Sequence, residues 1–149
     1  NDKWKPVKVS KVLRDGDAVK LGDAVLTARS TPGHTKGNTT WVMNVTDKGK
    51  KHLAVIIGSP NVNPGFELVN NKAYPEMAAD YEKTFAVLES LPCDIFLGAH
   101  GAYYGMDAKV ARWKKGGNEN PFVDPEGYRR YVADRKQYYK AELARQKAK

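Results

Sequence analysis

Three polar side chains, His34, Ser59 and His100, each follow a segment that reads as a β-strand. His34 lies in "STPGHTKGNTTW", between glycines that mark turns and directly ahead of another strand. Ser59 follows the apolar run "HLAVIIG", and His100 follows "CDIFLGA". Imidazole serves as a metal ligand or general base, and a serine hydroxyl hydrogen-bonds substrates. Because loops at strand ends gather binding and catalytic groups, the three residues together predict a site.

The strands that must position these residues occupy the first third of the chain. "VKVSKVL" and "NTTWVMNV" alternate apolar and polar residues, and "AVKLGDAVLTAR" predicts a hairpin that turns at Gly22 and Asp23. "HLAVIIG" is apolar on both faces, which is typical of a central strand covered on both sides. His52 opens this strand beside two lysines and is interpreted as an exposed strand-end residue.

Helices follow in the second half. "YPEMAADYEKTFAVLESL" has apolar residues at helical spacing and Pro75 in its first turn. A buried strand, "CDIFLGAH", is followed by a short helix over residues 106–115. The final helix is predicted to begin with Asp124 as N-cap and Pro125 at its first position. Between the strands and the first helix lies "SPNVNPGFELVNN", an aperiodic loop of the length that is usually functional or disordered.

Composition excludes several classes of protein. The 149 residues suit one domain, and no apolar run is long enough for a membrane helix. The net charge of +8 is spread along the chain, without an aromatic or zinc-finger motif, so a solvated basic surface is favoured over nucleic-acid binding. Cys93 is the single cysteine, so no internal disulfide or thiolate cluster forms, and its apolar strand favours a buried, inert thiol.

Several long motifs resemble one enzyme family, the metallo-β-lactamases, and within it subclass B3. "TPGHTKGNTTW" is similar to the family's T-P-G-H-T-x-G-x-T-x-W loop, and "GSPNVNPGFELVNNKAYP" to its G-S-x-x-V-N-P-G-Y-x-L-V-x-N-x-x-Y-P segment. "LPCDIFLGAHGAYYGM" and "NPFVDPEGYRRYV" resemble its last strand and last helix. The resemblance spans residues 1–149 and implies an α/β (α+β) fold, the C-terminal half of an αββα sandwich, with a mixed sheet and outer helices.

The resemblance also implies roles for individual residues. His34 would be a ligand of the first zinc and His100 a ligand of the second. Ser59 would help to bind the substrate carboxylate. Asn61, which stands where some members have another serine, is the second candidate for substrate binding. Cys93 matches a cysteine that in some members pairs with one in the last helix, where this chain has Tyr128.

One family motif is missing from these residues. H-x-H-x-D-H supplies most of the zinc ligands, and the three histidines of this chain do not have that spacing. A catalytic zinc takes about three protein ligands, so this chain offers roughly one to each of two zincs. We therefore expect an N-terminal half, or a second copy of the chain, to cover the sheet face that one half leaves open.

The predicted function of the intact protein is zinc-dependent hydrolysis of β-lactams, in the periplasm by family resemblance, with no nucleic-acid or membrane partner. This chain alone is predicted to be inactive. Two alternatives stay open. The protein could be another hydrolase of the same fold, such as a lactonase or thioesterase, since fold does not fix function. It could instead be a non-catalytic fragment that self-associates through its open sheet.

Overall fold

The computed structural model describes residue 5 and residues 7–149, and its centre is one five-stranded sheet. The strands lie in chain order, and the first four are antiparallel neighbours. The last strand pairs parallel with the fourth. Their bounds are β1 Ala18–Leu21, β2 Ala24–Ser30, β3 Thr39–Asp47, β4 Lys50–Ile57 and β5 Ile95–Gly98. This mixed sheet with helices confirms the predicted α+β class.

The helices are α1 Met77–Ser90, α2 Met106–Lys114 and α3 Pro125–Lys147. As predicted, Asp124 caps α3 by accepting a hydrogen bond from the backbone N–H of Gly127 at 2.8 Å. α1 begins two residues beyond Pro75, where the N–H of Met77 reaches the carbonyl of Tyr74. Within the described residues, no helix has the length and apolarity needed to cross a membrane.

One face of the sheet is covered by α1 and α3. The core between them is rich in aromatic rings, and Tyr81 stacks on Tyr139 with ring centroids 5.2 Å apart. Burial of so much aromatic surface makes this layer the main source of stability in the described part of the chain. Its buried residues are Val55, Ile57, Tyr81, Phe85, Leu88, Phe96, Tyr128, Val132 and Tyr139.

The opposite face of the sheet, which we call the open face, is apolar and only partly covered. Strand register places Trp41, Ile56 and Leu97 in one row across β3, β4 and β5, and all three are half-buried. Leu21 at the end of β1 is 84% exposed. Ala54 and His52, which share this face with Ile56, are buried, so among the described residues the expected cover of β4 is complete on one side and partial on the other.

Two local predictions were wrong. Residues 7–13 form no strand, and Val7 and Val12 are 86% and 79% exposed. Alternation alone does not make a strand when no neighbouring strand accepts its hydrogen bonds. His52 is buried at 6% exposure, because it sits inside β4 opposite Val45 and the loop that precedes α3 passes beside it.

Cys93 is buried and free, as predicted. Its Sγ lies 3.4 Å from the carbonyl of Ile95, and burial raises the thiol pKa to about 12. A thiol with this pKa holds almost no thiolate at neutral pH and is a poor nucleophile. Tyr128, also buried, lines the same cavity of about 470 Å³ between the end of α1 and α3.

A buried ion pair fastens α2 to the start of α3. Lys109 is 7% exposed, and its Nζ lies 2.8 Å from Oδ2 of Asp124 and over the ring of Phe96. Burial acts to raise the pKa of Asp124, but the nearby Lys109 ammonium and the hydrogen bond from the N–H of Gly127 hold it below its usual value. The ionised carboxylate therefore contributes to the stability of the fold.

We expect Asp124→Asn to lower the free energy of unfolding by about 2 to 4 kcal/mol at pH 7, because it keeps a capping residue but leaves the Lys109 ammonium buried without its counter-charge. A carboxyl group whose pKa is lower in the folded than in the unfolded protein stabilises the fold at pH values above the unfolded pKa. This stabilisation is lost as the pH falls below about 4. The difference between wild type and Asp124→Asn should therefore shrink in acid, as measured by urea unfolding at several pH values. Asp107→Asn, at an exposed position of α2, should change little at any pH.

Candidate functional site

The directions of three strands bring the predicted site residues to one edge of the sheet. β2 and β4 are both antiparallel to β3, and β5 is parallel to β4, so β2, β4 and β5 all run the same way. Their carboxyl ends lie at the same edge. The loops that carry His34, Ser59 and His100 therefore leave the sheet side by side.

His34 is held with one ring nitrogen turned inward. Its Nδ1 lies 2.8 Å from the backbone carbonyl of Asn61, and its ring packs on Phe66 with centroids 5.4 Å apart. Because a carbonyl only accepts, Nδ1 carries the proton and the lone pair lies on Nε2. A histidine whose second nitrogen is fixed by a carbonyl in this way has the tautomer and orientation of a metal ligand.

Helix α1 holds the His34 loop in place. Tyr81 donates from its hydroxyl to the same Asn61 carbonyl, at 2.7 Å, and burial raises its pKa, so the phenol stays protonated. Gly33 lies against the Tyr81 ring, where an added Cβ would come within 2.9 Å of a ring carbon, and its φ of +127° suits glycine. Thr84 donates to the carbonyl of Pro32. Gly33 is thus required by packing as well as by turn geometry.

Asn38 ties the His34 loop to the Ser59 loop. Its Nδ2 donates to the carbonyls of Thr31 and Ser59, the latter at 3.2 Å, and its Oδ1 accepts from the N–H of Ser59 at 2.9 Å. Both backbone groups of Ser59 are thereby fixed by one amide. Asn38 stands at a variable position of the family loop pattern, and these contacts give a physical reason for asparagine in this chain.

Gly58 is required by the close approach of Asn38. A Cβ at Gly58 would lie 2.6 Å from Oδ1 of Asn38 and 2.7 Å from the carbonyl of Thr39. We expect Gly58→Ala to cost about 1 to 3 kcal/mol in urea unfolding, because the overpacked amide must move and release Ser59. Gly37→Ala in the neighbouring loop is the matched control, since its Cβ would meet nothing within 4 Å. Equal stability of the two variants would contradict the role given to the contacts between Asn38 and Gly58.

Ser59 and Asn61 belong to one chain of hydrogen bonds, which we call the tyrosine relay. Tyr131 donates to Oδ1 of Asn61 at 3.4 Å, Nδ2 of Asn61 donates to the hydroxyl of Tyr103 at 3.0 Å, and that hydroxyl donates to Oγ of Ser59 at 3.2 Å. Tyr103 and Tyr131 also stack, with centroids 5.1 Å apart. Both functional groups of the Asn61 side chain are engaged within the protein.

His100 follows β5 after one residue, Ala99, and precedes a short 3₁₀ turn, Gly101–Tyr103. Its side chain is exposed, and its ring meets the edge of Tyr103 with centroids 5.1 Å apart. Asn61 touches His34 through its backbone and Tyr103 through its side chain. The two histidines are therefore linked through Asn61 and Tyr103.

The described residues fall short of a complete metal site. Among them, no group of three or more His, Cys, Asp or Glu side chains is placed to hold a metal ion. A free Nε2 on His34 and an exposed imidazole on His100 suit one ligand each, whereas a catalytic zinc takes about three from the protein. The donor set of the described residues therefore fits part of a zinc site and not a complete one.

The structure brings together the four residues predicted for the site, and the predicted roles of His34 and His100 in zinc binding and of Ser59 and Asn61 in substrate binding stay predictions. Sequence reasoning missed the residues that position them, which are Asn38, Phe66, Tyr81, Tyr103 and Tyr131. Tyr81 and Tyr131 read from sequence as ordinary apolar positions of a helix, because helical spacing does not reveal which hydroxyl meets a loop carbonyl.

The long loop over residues 59–71 is ordered by contacts from α3. The side chain of Gln146 accepts a hydrogen bond from the N–H of Leu68 at 2.7 Å and donates to the carbonyl of Phe66 at 2.8 Å. Val62 and Leu68 are buried in the core. The loop is thus an irregular but anchored wall of the site.

Solved structures match nearly all of the chain, although no protein-family model matches it. The native FEZ-1 metallo-β-lactamase from Legionella gormanii is 48% identical with a TM-score of 0.94, covering 98% of this chain and 55% of that one. BJP-1, a subclass B3 metallo-β-lactamase of Bradyrhizobium japonicum, is 36% identical with a TM-score of 0.89, covering 97% and 54%. LRA-12, a class B3 di-zinc metallo-β-lactamase from an Alaskan soil metagenome, is 26% identical with a TM-score of 0.83, covering 93% and 52%.

These matches agree on how much of each relative the chain represents. The chain spans about half the length of each of the three proteins. The matched part is the C-terminal half of their fold.

Proposed function

Since this chain is the C-terminal half of a subclass B3 metallo-β-lactamase fold, we propose that it works in a protein that hydrolyses the amide bond of β-lactams with two zinc ions. The observation that carries the proposal is the meeting of His34, Ser59 and His100 at one sheet edge, with Nε2 of His34 left free by the Asn61 carbonyl. Hydrolases of this fold differ in their sites, and this site has the subclass B3 loops.

In the proposed protein, His34 contributes to the first zinc and His100 to the second, while the remaining ligands come from outside this chain. Bound zinc would supply Lewis acidity and a water of lowered pKa. The chain's own residues hold the ligands: Asn61 fixes the tautomer of His34, Tyr81 supports that carbonyl, and Tyr103 packs on His100. This cofactor assignment is supported by the di-zinc description of LRA-12.

Ser59 is the proposed contact for the substrate carboxylate. Its backbone is held by Asn38 and its hydroxyl accepts from Tyr103, so this hydroxyl, in a residue that is 8% exposed, has a set position. Asn61, the second predicted substrate-binding residue, would act mainly by holding its neighbours, because its amide is engaged by Tyr103 and Tyr131.

The proposed partner is an N-terminal half of the same fold, packed on the open face. Trp41, Met43 and Ile56 are half-buried apolar residues there, and Leu21 is exposed. An apolar sheet face of this kind packs against a second layer in stable domains. A second copy of the chain is the alternative cover, and it would bring no further ligand types to the zincs. The proposed compartment is the periplasm.

The test uses what we call the completed protein, which is this chain combined with a separately made N-terminal half that carries H-x-H-x-D-H. It should hydrolyse a cephalosporin and a carbapenem in the presence of zinc and leave an acyl lactone unchanged. Hydrolysis of the lactone alone would favour the alternative lactonase function. A chain that forms a dimer or larger oligomer by itself, and never binds the other half, would favour the self-associating fragment.

A further inference from the structure

The direction of the tyrosine relay has a consequence for Ser59. A serine hydroxyl has one proton to donate and two lone pairs to accept with. Oγ of Ser59 accepts from Tyr103 at 3.2 Å, and its own proton enters no other hydrogen bond among the described residues. The relay therefore leaves Ser59 with a proton to give.

The order of donors and acceptors in the tyrosine relay is set by Tyr131, the member farthest along the relay from Ser59. Tyr131 is half-buried, and burial raises its pKa, so its phenol is protonated and donates to Oδ1 of Asn61. An asparagine whose oxygen faces Tyr131 must turn its NH₂ group toward Tyr103. The Tyr103 oxygen accepts from Asn61, and the proton of the same hydroxyl is directed at Oγ of Ser59.

We propose that Tyr103 is a positioning residue that makes Ser59 an obligate outward donor and thereby selects substrates with an anionic oxygen group, such as a carboxylate. The inference rests on the proposed function and names the chemical class that the same site selects. A proton donor meets a carboxylate through a charge-assisted hydrogen bond, which is stronger than a bond to a neutral ester oxygen. Without the Tyr103 hydroxyl, the Ser59 hydroxyl is no longer held in one orientation and the preference falls.

The first test uses NMR of the 149-residue chain to measure the hydrogen bonds of the Asn61 side chain in the tyrosine relay. Tyr103→Phe should shift the side-chain amide protons of Asn61, because one of them loses its acceptor, and should speed their exchange with solvent. Tyr104→Phe is the matched control, since this neighbouring ring packs near Phe96 and its hydroxyl makes no hydrogen bond to a described residue. If Tyr131→Phe shifts these protons and Tyr103→Phe does not, the Asn61 amide faces the other way and the inference is overturned.

The second test compares a β-lactam that carries a free carboxylate with its methyl ester, in the completed protein. Tyr103→Phe should raise KM for the acid about tenfold, the usual loss for one hydrogen bond to a charged group, with kcat nearly unchanged and the ester unaffected. In a Ser59→Ala background, Tyr103→Phe should have no further effect, because the two residues act in series.

The outcomes separate this inference from the proposed function. If wild type hydrolyses neither compound, the proposed function fails, and the Asn61 amide signals still decide whether the relay has the inferred direction. If wild type prefers the acid and Tyr103→Phe keeps the same preference, the function stands and the role of Tyr103 is wrong. An equal loss for acid and ester would assign Tyr103 a purely structural role and would also overturn the inference.

Discussion

The isolated chain should bind no stoichiometric pair of zinc ions and should show negligible β-lactam turnover. Each zinc of the family takes about three protein ligands, and in the proposed assignment this chain would supply His34 to one and His100 to the other. A single imidazole lacks the chelate advantage of a complete ligand set, and metal binding is strongly coupled to assembly of that set. Elemental zinc analysis and carbapenem hydrolysis on the mass-verified chain would measure both quantities.

Completing the fold should reverse both results. An N-terminal half that carries H-x-H-x-D-H adds the other ligands and covers the open face around Trp41 and Ile56. Two zincs and measurable turnover should then appear together. An N-terminal half whose motif histidines are replaced by alanine is the control, because it should cover the sheet without restoring metal. Two zincs per chain and ordinary turnover in the isolated chain would show that the ligand count is wrong.

In the completed protein, His34→Ala and His100→Ala should each reduce kcat/KM by more than about 100-fold. Loss of a residue that merely supports a metal ligand costs about 10- to 100-fold in affinity or activity, and loss of the ligand itself should cost more. The two variants should differ in which metal is lost. His34→Ala should weaken the first zinc and His100→Ala the second, as read by zinc titration with a competing chelator.

The third histidine provides the matched control. His52 is buried in β4 beside Asp47 and Asn120, away from the loops that carry His34 and His100. His52→Gln can lower stability, but the zinc content and turnover of the folded fraction should be those of wild type. If His52→Gln loses zinc as His34→Ala does, or if His34→Ala keeps both zincs, the ligand assignment is wrong.

The sequence by itself determined most of the elements and the candidates for the site. Local rules were sufficient where the signal was local: the turn at Gly22 and Asp23, the Asp124 cap of α3 and the helical spacing of α1 all appear as predicted. The long motifs around His34 and His100 gave the fold, because they pointed to a family whose solved members match it.

Only the tertiary structure decided how these residues act together. Strand order and direction, which depend on pairing between distant segments, brought His34, Ser59 and His100 to one edge. Residues 7–13 alternate apolar and polar side chains without forming a strand, because a strand also needs a neighbouring strand to pair with. The tautomer of His34 and the direction of the tyrosine relay each rest on a hydrogen bond between residues far apart in sequence. No periodicity within one segment records such a bond, since it forms only when separate elements pack.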